Sequence, residues 1–346
     1  MSRTIIATPP GYTIREQLEQ RGMTQKEFSV RMDMSEKHIS RLINGEVRLT
    51  PNVSMRLETI LGIPSEFWNK LEAIYQMKKQ KAEEENALDS DIEIEKKIPY
   101  TEMVKLGWVE YAKKAADRVK NLRRFFEVAH LTVIDRLIQT GIAYRRAGIT
   151  NRSKYVLASW IQKARLSARE RKVSGINLQE LAARIAEIRE LTLRTPDEYI
   201  PRLTEILSDC GIVLVILPHL KGSYLNGASF IDGKKIVTAL TLRGNYADIF
   251  WFSFFHEIYH ILEGQMTQTE ELTEEDERKA DEYSEDVLIP RKEYENFVKA
   301  EDFTLSSLKE FAKQEGVDVG ILIGRLQKEE HIDFSEMNHL RQRLVT

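Results

Sequence analysis

The spacing of apolar residues divides the chain into a helical first half and a mixed second half. Residues 12–76 contain short apolar-periodic segments, and glycines mark their ends. Each segment follows a residue that can cap a helix N-terminus, namely Thr13, Thr24, Ser35 or Thr50. Between residues 101 and 195, apolar residues again lie three and four positions apart, which predicts helices over Met103–Phe126, Val133–Thr140, Ser153–Ala168 and Leu178–Leu191.

Strand patterns are confined to the second half. Gly211–Leu217 is rich in β-branched residues, and Ala228–Ile231 and Lys235–Leu242 are separated by Asp232-Gly233, which is a hairpin signal. Helical periodicity returns after Asn245 through His260, and again from Glu274 to Leu288. The pattern therefore predicts an α+β region with a small sheet.

A charge-dense stretch lies between these two patterns. Residues 80–97 are rich in acids and lysines and lack Gly and Pro, which is typical of either a linker or an extended solvated helix. We therefore predict a multidomain fold. Its parts are an all-α head (1–79), a linker or helix extension (80–99), a helical connecting region (100–195) and an α+β domain (196–346).

Composition narrows the class of protein. The chain has 346 residues, 42% hydrophobic and 30% charged, which is enough apolar material for two or three cores. The single cysteine, Cys210, excludes an intrachain disulfide framework. The longest apolar stretches are too short to cross a bilayer, and Met1–Pro10 lacks the apolar run of a signal peptide. We expect a cytoplasmic protein with no membrane partner.

The formal net charge of −3 conceals an uneven distribution. Residues 101–172 hold 17 Lys and Arg against 6 Asp and Glu, whereas residues 261–290 hold 2 against 11. A basic first half favours nucleic acid as one partner, although solvated helix faces explain the same charges.

The segment Met23–Glu46 has the layout of a helix-turn-helix. A first helix begins at Gln25, and Ser35 caps a second helix with one apolar stripe. Another face of that second helix carries Glu36, Lys37, Ser40 and Arg41, which can approach base edges, while Gln25 and Asn44 can bind phosphates. An ordinary helical bundle with a solvated face fits the spacing equally well.

Residues 8–76 resemble the XRE-type helix-turn-helix, and within it the HigA-type antitoxins. The matching pieces are TPPGYTIREQLEQRGMTQKEF, SRLINGE and LTPNVSMRLETILGIPSEFW. The resemblance implies a homodimer on a palindromic operator in double-stranded DNA, with Lys37, His38, Ser40 and Arg41 near the DNA. For His38, a solvated helix position is an equally good interpretation.

The segment Phe250–Gly264 contains the pattern H-E-x-x-H. His256 and His260 are four residues apart, so on a helix both imidazoles project from one face and can bind one metal ion. Glu257, next to the first histidine, is placed to act as a general base toward water. By chance this pattern also occurs on ordinary surface helices.

A zinc site requires a third protein ligand, and Glu277 is the candidate. Glu277 and Asp281 share a helix face, so Glu277 can ligate the ion while Asp281 accepts a hydrogen bond from a ligand imidazole. The intervening residues are sufficient for a loop and an antiparallel return helix.

From about Pro196 to Arg325 the chain resembles the ImmA/IrrE metallopeptidases. The matching pieces are IVTALTLR, FWFSFFHEIYHILEG, ERKADEYSEDVLIP and FAKQEGVDVGILIGRLQ. The resemblance implies a zincin-like domain in which His256, His260 and Glu277 bind Zn²⁺, Glu257 is the catalytic base and Asp281 supports a ligand. It also suggests that Lys235–Leu242 is an edge strand for an extended peptide. Tyr259 departs from the family, which usually has Gly there, and we expect its bulk to narrow the cleft.

Two functions follow from these observations. In the first, a DNA-binding regulator of the toxin–antitoxin type carries a zinc metallopeptidase that hydrolyses a repressor, a toxin partner or its own linker. In the second, the protein is a HigA-like repressor whose zinc domain senses or binds a partner with little turnover.

Overall fold

The computed structural model describes residues 8–140, 151–223, 226–267 and 272–344. The chain forms two compact units, the first ending at Glu93 and the second beginning at Ile94. In the first unit the helices are α1 (Pro10–Gln20), α2 (Gln25–Met32), α3 (Glu36–Ile43), α4 (Pro51–Leu61) and α5 (Ser65–Glu95), the last continuing two residues into the second unit. Residues 80–95 are therefore helical. Of the two alternatives, a linker or an extended helix, the structure shows the extended helix.

The core of the first unit lies between α1, α2, α3 and α4. Phe28, Met32, Ile39 and Leu57 are fully buried, and Trp68 of α5 joins them. Three predicted caps accept a backbone N–H: Thr24 from Glu27, Ser35 from His38 and Thr50 from Val53.

The predicted cap at Thr13 is wrong. Thr13 lies inside α1, because that helix already begins at Pro10 after the extended residue Pro9. Proline has the helical φ angle built in and is favoured in the first turn, so the helix starts four residues earlier than a cap at Thr13 predicts.

The first half of the second unit contains six helices among the described residues. They are α6 (Tyr100–Lys105), α7 (Ala115–Phe126), α8 (Ile134–Thr140), α9 (Asn151–Ala168), α10 (Leu178–Glu190) and α11 (Pro196–Asp209). The single helix expected over Met103–Phe126 is therefore interrupted. Gly107, with a φ angle of 68°, stops α6, and the chain becomes helical again only at Ala115.

A three-stranded sheet follows, with strands β1 (Ile212–Leu217), β2 (Gly227–Asp232) and β3 (Lys235–Thr241) in the order β1-β3-β2. β1 pairs with β3 in parallel, with Ile212 opposite Ile236, and β2 pairs with β3 antiparallel, with Ala228 opposite Ala239. The expectation that β3 is an edge strand is wrong, because strands lie on both sides of it. Among the described strands, β1 and β2 form the edges.

Helices cover both faces of the sheet. On one face α9 packs through Trp160 and Ile161 against Val237 and Ala239 of β3. The other face is covered by α11 and by α12 (Ala247–Leu262), and the same core continues around α12 with α13 (Glu274–Leu288), α14 (Arg291–Lys299), α15 (Leu305–Glu315) and α16 (Val319–Lys328). The sheet thus forms the middle layer of an α+β unit.

Helix α12 is the centre of this second core. It is apolar around most of its circumference, and Phe250, Trp251, Phe254 and Phe255 are almost fully buried. Its first turn is tied to the C-terminal segment by an ion pair between Asp248 and Arg341, 2.6 Å between Oδ2 and Nη2, with both side chains 8% exposed. No helix in the described part of the chain combines the length and apolarity needed to cross a membrane.

Candidate functional site

His256 and His260 lie one helical turn apart on α12. Their Nε2 atoms are 3.1 Å apart, and both side chains are buried. The helix is fixed by its aromatic neighbours in the core, so the two imidazoles are held in a rigid element. The structure therefore brings together the two histidines that the sequence predicted.

Each of the two imidazoles has an oxygen at its other ring nitrogen. Nδ1 of His256 is 2.8 Å from Oδ1 of Asp281, and Nδ1 of His260 is 2.6 Å from Oε1 of Gln265. An acceptor at Nδ1 keeps the proton there and leaves the lone pair of Nε2 available for a metal ion. Asp281 thus occupies the supporting position predicted for it.

Glu277 reaches both histidines from α13. Its carboxylate oxygens lie 3.4 Å from Nε2 of His256 and 3.7 Å from Nε2 of His260. A capping box in which Thr273 and Asp276 exchange hydrogen bonds begins this helix just before Glu277. Gln265 also donates to Asp276 at 3.0 Å, so the same amide that contacts His260 fixes the start of α13.

These three side chains fit the requirements of zinc. Ligand atoms of His256, His260 and Glu277 all lie within 4.8 Å of one another. Nitrogens on a tetrahedral zinc ion with bonds of about 2.0–2.1 Å lie roughly 3.3 Å apart, close to the observed spacing. Two imidazoles and a carboxylate are also a common donor set of catalytic zinc sites.

The charge of the site favours a cation. Burial by itself lowers the pKa of His256, but the hydrogen bonds to Asp281 and Glu277 outweigh burial and raise that pKa to about 9. The carboxylates therefore hold a positive charge at this position, as a proton or as a metal ion.

Glu257 lies beside the start of β2. The side chain is buried, and a Cβ atom placed on Gly227 would be 2.9 Å from Cγ and 3.0 Å from Oε1 of Glu257. Because glycine has no Cβ, the carboxylate can approach the strand backbone there. The residue predicted as catalytic base, Glu257, thus lies where β2 meets α12.

The ring of Tyr259 packs against α13, with its centroid 5.5 Å from that of Tyr283 and 5.9 Å from that of His260. Together the two tyrosines line a polar cavity that also contains Arg291 and Glu295. The tyrosine is therefore held between the two helices, on the side of α12 that faces Tyr283.

In the head, the predicted DNA-facing residues all lie outside the core. Ile39, Leu42 and Ile43 turn inward on α3, whereas exposed or half-buried positions hold Gln25, Glu36, Lys37, His38, Ser40, Arg41 and Asn44. Nε of Arg41 is 3.4 Å from Glu46, an exposed contact that binding DNA can replace.

Three residues near these sites were missed in the sequence. Gln265 contacts His260 from a short 3₁₀ turn, Gly227 lies against Glu257, and Arg15 of α1 donates to Oδ1 of Asn44 at 3.2 Å. Gly227 and Arg15 meet their partners through tertiary folding, whereas Gln265 lies only five residues after His260 but belongs to no recognised motif.

Comparisons with known proteins bear on the head. Residues 14–68 match the helix-turn-helix family model. The chain is also similar to an uncharacterized HTH-type transcriptional regulator, YddM, of Escherichia coli (strain K12), with 29% identity over 80 residues, which are 23% of this chain and 81% of that protein. Together with the α2–α3 geometry, these matches identify residues 14–68 as an XRE-type helix-turn-helix domain of a DNA-binding regulator.

Proposed function

We propose that this protein is a DNA-binding regulator of the toxin–antitoxin type that carries a zinc-dependent peptidase domain. The observation that carries the enzymatic half is the convergence of His256, His260 and Glu277, with Glu257 next to them on α12. The resemblance of about Pro196–Arg325 to ImmA/IrrE metallopeptidases supports the same assignment, including a zincin-like fold for the domain predicted over residues 196–346.

In this proposal Nε2 of His256, Nε2 of His260 and the carboxylate of Glu277 hold Zn²⁺. Zinc bound there supplies Lewis acidity toward water and a substrate carbonyl. Asp281 and Gln265 keep both imidazoles in the orientation that ligation requires. The carboxylate of Glu257 takes the proton of the attacking water and passes it to the leaving amine.

The substrate is an extended stretch of polypeptide. Among the described strands β2 is an edge strand, it lies beside Glu257, and an extended segment can add to such an edge through main-chain hydrogen bonds. This replaces β3, the strand that the resemblance suggested. A repressor or toxin that shares the operator is the partner we propose for cleavage.

The head acts as a homodimer on a palindromic operator. Support for a dimer comes from exposed apolar side chains on α5, where Phe67, Ile74 and Met77 are 45%, 39% and 65% exposed. A row of apolar residues on a helix surface marks an interaction site. Lys37, His38, Ser40 and Arg41 then face the DNA from α3 of each protomer.

The test combines metal content with mapping of cleavage sites. The purified chain and a Glu257→Gln variant are analysed for zinc and then incubated with a lysate of the source cells, and new protein N-termini are identified by mass spectrometry. We expect about one zinc per chain in both proteins, and new N-termini only with the unmodified chain. Zinc without any cleavage would instead support a sensor or partner-binding domain.

A further inference from the structure

A cavity of about 700 Å³ opens beside the candidate metal centre. Its volume is in the range of sites that bind small molecules or groups of side chains. We propose that this cavity, called here the apolar pocket, receives a bulky apolar side chain of the polypeptide substrate next to the bond that is cleaved. The inference rests on the proposed peptidase function and adds to it the identity of a preferred substrate residue.

The apolar pocket is continuous with the metal centre along three elements. On α12, Ser253 lines the pocket three residues before His256. On α13, Glu285 lines it four residues after Asp281. Residues three or four apart on a helix lie on one face, so the two helix faces that carry the metal centre extend directly into the pocket walls.

The third element is the start of the edge strand. Asn226 lines the apolar pocket and immediately precedes Gly227, which lies against Glu257. A peptide added to the edge of β2 beside the metal centre would therefore run past the pocket mouth. Because side chains alternate in an extended peptide, one of them can point into the pocket while the backbone stays on the strand.

The lining of the pocket selects an apolar side chain. Its walls are formed mainly by Ile249, Phe252, Leu288, Ile289, Ile321 and Phe334. Phe334 is 64% exposed although it is a large aromatic residue, so part of this surface remains open to solvent. Burying an apolar group against such walls is favourable without any polar partner.

The charged groups of the pocket are already paired with one another. Nζ of Lys328 is 3.2 Å from Glu285 and lies 4.0 Å above the ring of Phe252, while Arg341 is paired with Asp248. Arg325 contacts Glu285 and Glu329. A charged substrate residue would have to displace one of these partners, whereas an apolar residue would not.

Direct binding of designed peptides tests the pocket without relying on turnover. The probes are three blocked hexapeptides of alanine with Phe, Ala or Asp at the fourth position. They are titrated into full-length Glu257→Gln protein, with and without zinc, and binding is followed by ligand-observed NMR. We expect the Phe peptide to bind about tenfold tighter than the other two, as burial of one aromatic side chain predicts.

Two variants link that preference to the pocket. Ile249→Trp fills the cavity and should remove the preference for Phe, and Phe334→Ala removes one wall and should weaken binding of the Phe peptide several-fold. Tyr111→Ala replaces another exposed aromatic residue of the second unit, which does not line the pocket, and should change nothing.

These measurements test the proposed pocket and the proposed peptidase function independently. Equal binding of the three peptides, no binding of the Phe peptide, or a preference that persists in both pocket variants would overturn the inference. Binding of phenylalanine amide as tight as that of the Phe peptide would also overturn the inference, because it would indicate a small-molecule site. A chain without stoichiometric zinc would refute the peptidase proposal, while the preference for Phe would still be measured in the zinc-free protein.

Discussion

Asp281 and His256 are joined by a hydrogen bond of 2.8 Å between Oδ1 and Nδ1, on the side of the ring opposite to the nitrogen that faces His260. The contact both orients the imidazole and increases its basicity. Asp281→Ala should therefore weaken zinc binding by about 10–100-fold without unfolding the chain. Competition with a chromogenic chelator measures this affinity. Glu282→Ala, at the adjacent exposed position, is the matched control and should bind zinc normally.

Removal of a ligand should have a larger effect. We expect His256→Ala and Glu277→Ala to lose the zinc that the unmodified chain carries, because two remaining ligands do not make a stable site. Elemental analysis after gel filtration gives the ratio of zinc to protein. Stoichiometric zinc in both variants would mean that the ion is bound elsewhere.

Glu257→Gln should retain zinc and lose activity by roughly 10²–10⁴-fold, the usual contribution of a general base. Gly227→Ala tests the position of the same carboxylate, since the added Cβ would lie 3.0 Å from Oε1 as well as 2.8 Å from Cδ2 of Leu240. Displacing a catalytic group in this way lowers the rate on the order of tenfold to a hundredfold.

Gly175→Ala is the matched control, because a Cβ there meets no atom within 4 Å. The activities of the three variants are compared by the rates at which the mapped N-termini appear. Activity of Gly227→Ala equal to that of Gly175→Ala would show that Glu257 does not depend on the close approach to β2.

The stability of the zinc-free chain should depend on the protonation of His256. Its pKa is raised from 6.5 to about 9 on folding, so the charged form stabilises the folded state. This stabilisation is complete below pH 6.5 and is lost as the pH rises through 9. Thermal unfolding of chelator-treated protein at pH 6 and pH 9.5 measures it. Relative to His256→Gln, the advantage of the unmodified chain should shrink at the higher pH, and an advantage that grows would contradict the assignment.

Arg41 is the head residue whose replacement is most informative. It lies exposed on α3, and Arg41→Ala should weaken binding to the chain's own promoter DNA by about 1–3 kcal/mol if it contacts a base. Electrophoretic mobility shift measures the change. Arg31→Ala, which removes an exposed arginine from α2, is the control. Equal loss in the two variants would indicate a general charge effect rather than recognition through α3.

Local sequence signals were sufficient for several elements. The bounds of α13, Glu274–Leu288, agree with the sequence prediction, because the capping box at Thr273 and Asp276 lies next to the helix and Pro290 follows it. The histidine pair was predictable for a similar reason, since four-residue spacing on a helix fixes the relative position of the two rings. Patterns of this kind need no knowledge of the rest of the fold.

Contacts between distant segments could not be predicted in this way. The central position of β3 depends on its pairing with β1, more than 20 residues earlier in the chain. Gly227 meets Glu257 only after the sheet has packed on α12, and Arg15 meets Asn44, 29 residues later, only after α1 has packed on α3. The break after α6 had a local signal in Gly107, but the apolar periodicity on either side of it concealed the interruption.

The buried ion pair between Asp248 and Arg341 gives the C-terminal segment a part in the architecture of the metal centre. Proteolysis upstream of Arg341 would leave the carboxylate of Asp248 buried without its counterion in the first turn of α12. The loss of this partner lowers the free energy of unfolding by about 3–5 kcal/mol. Truncations that remove Arg341 should therefore disturb the metal centre even though the arginine is no ligand.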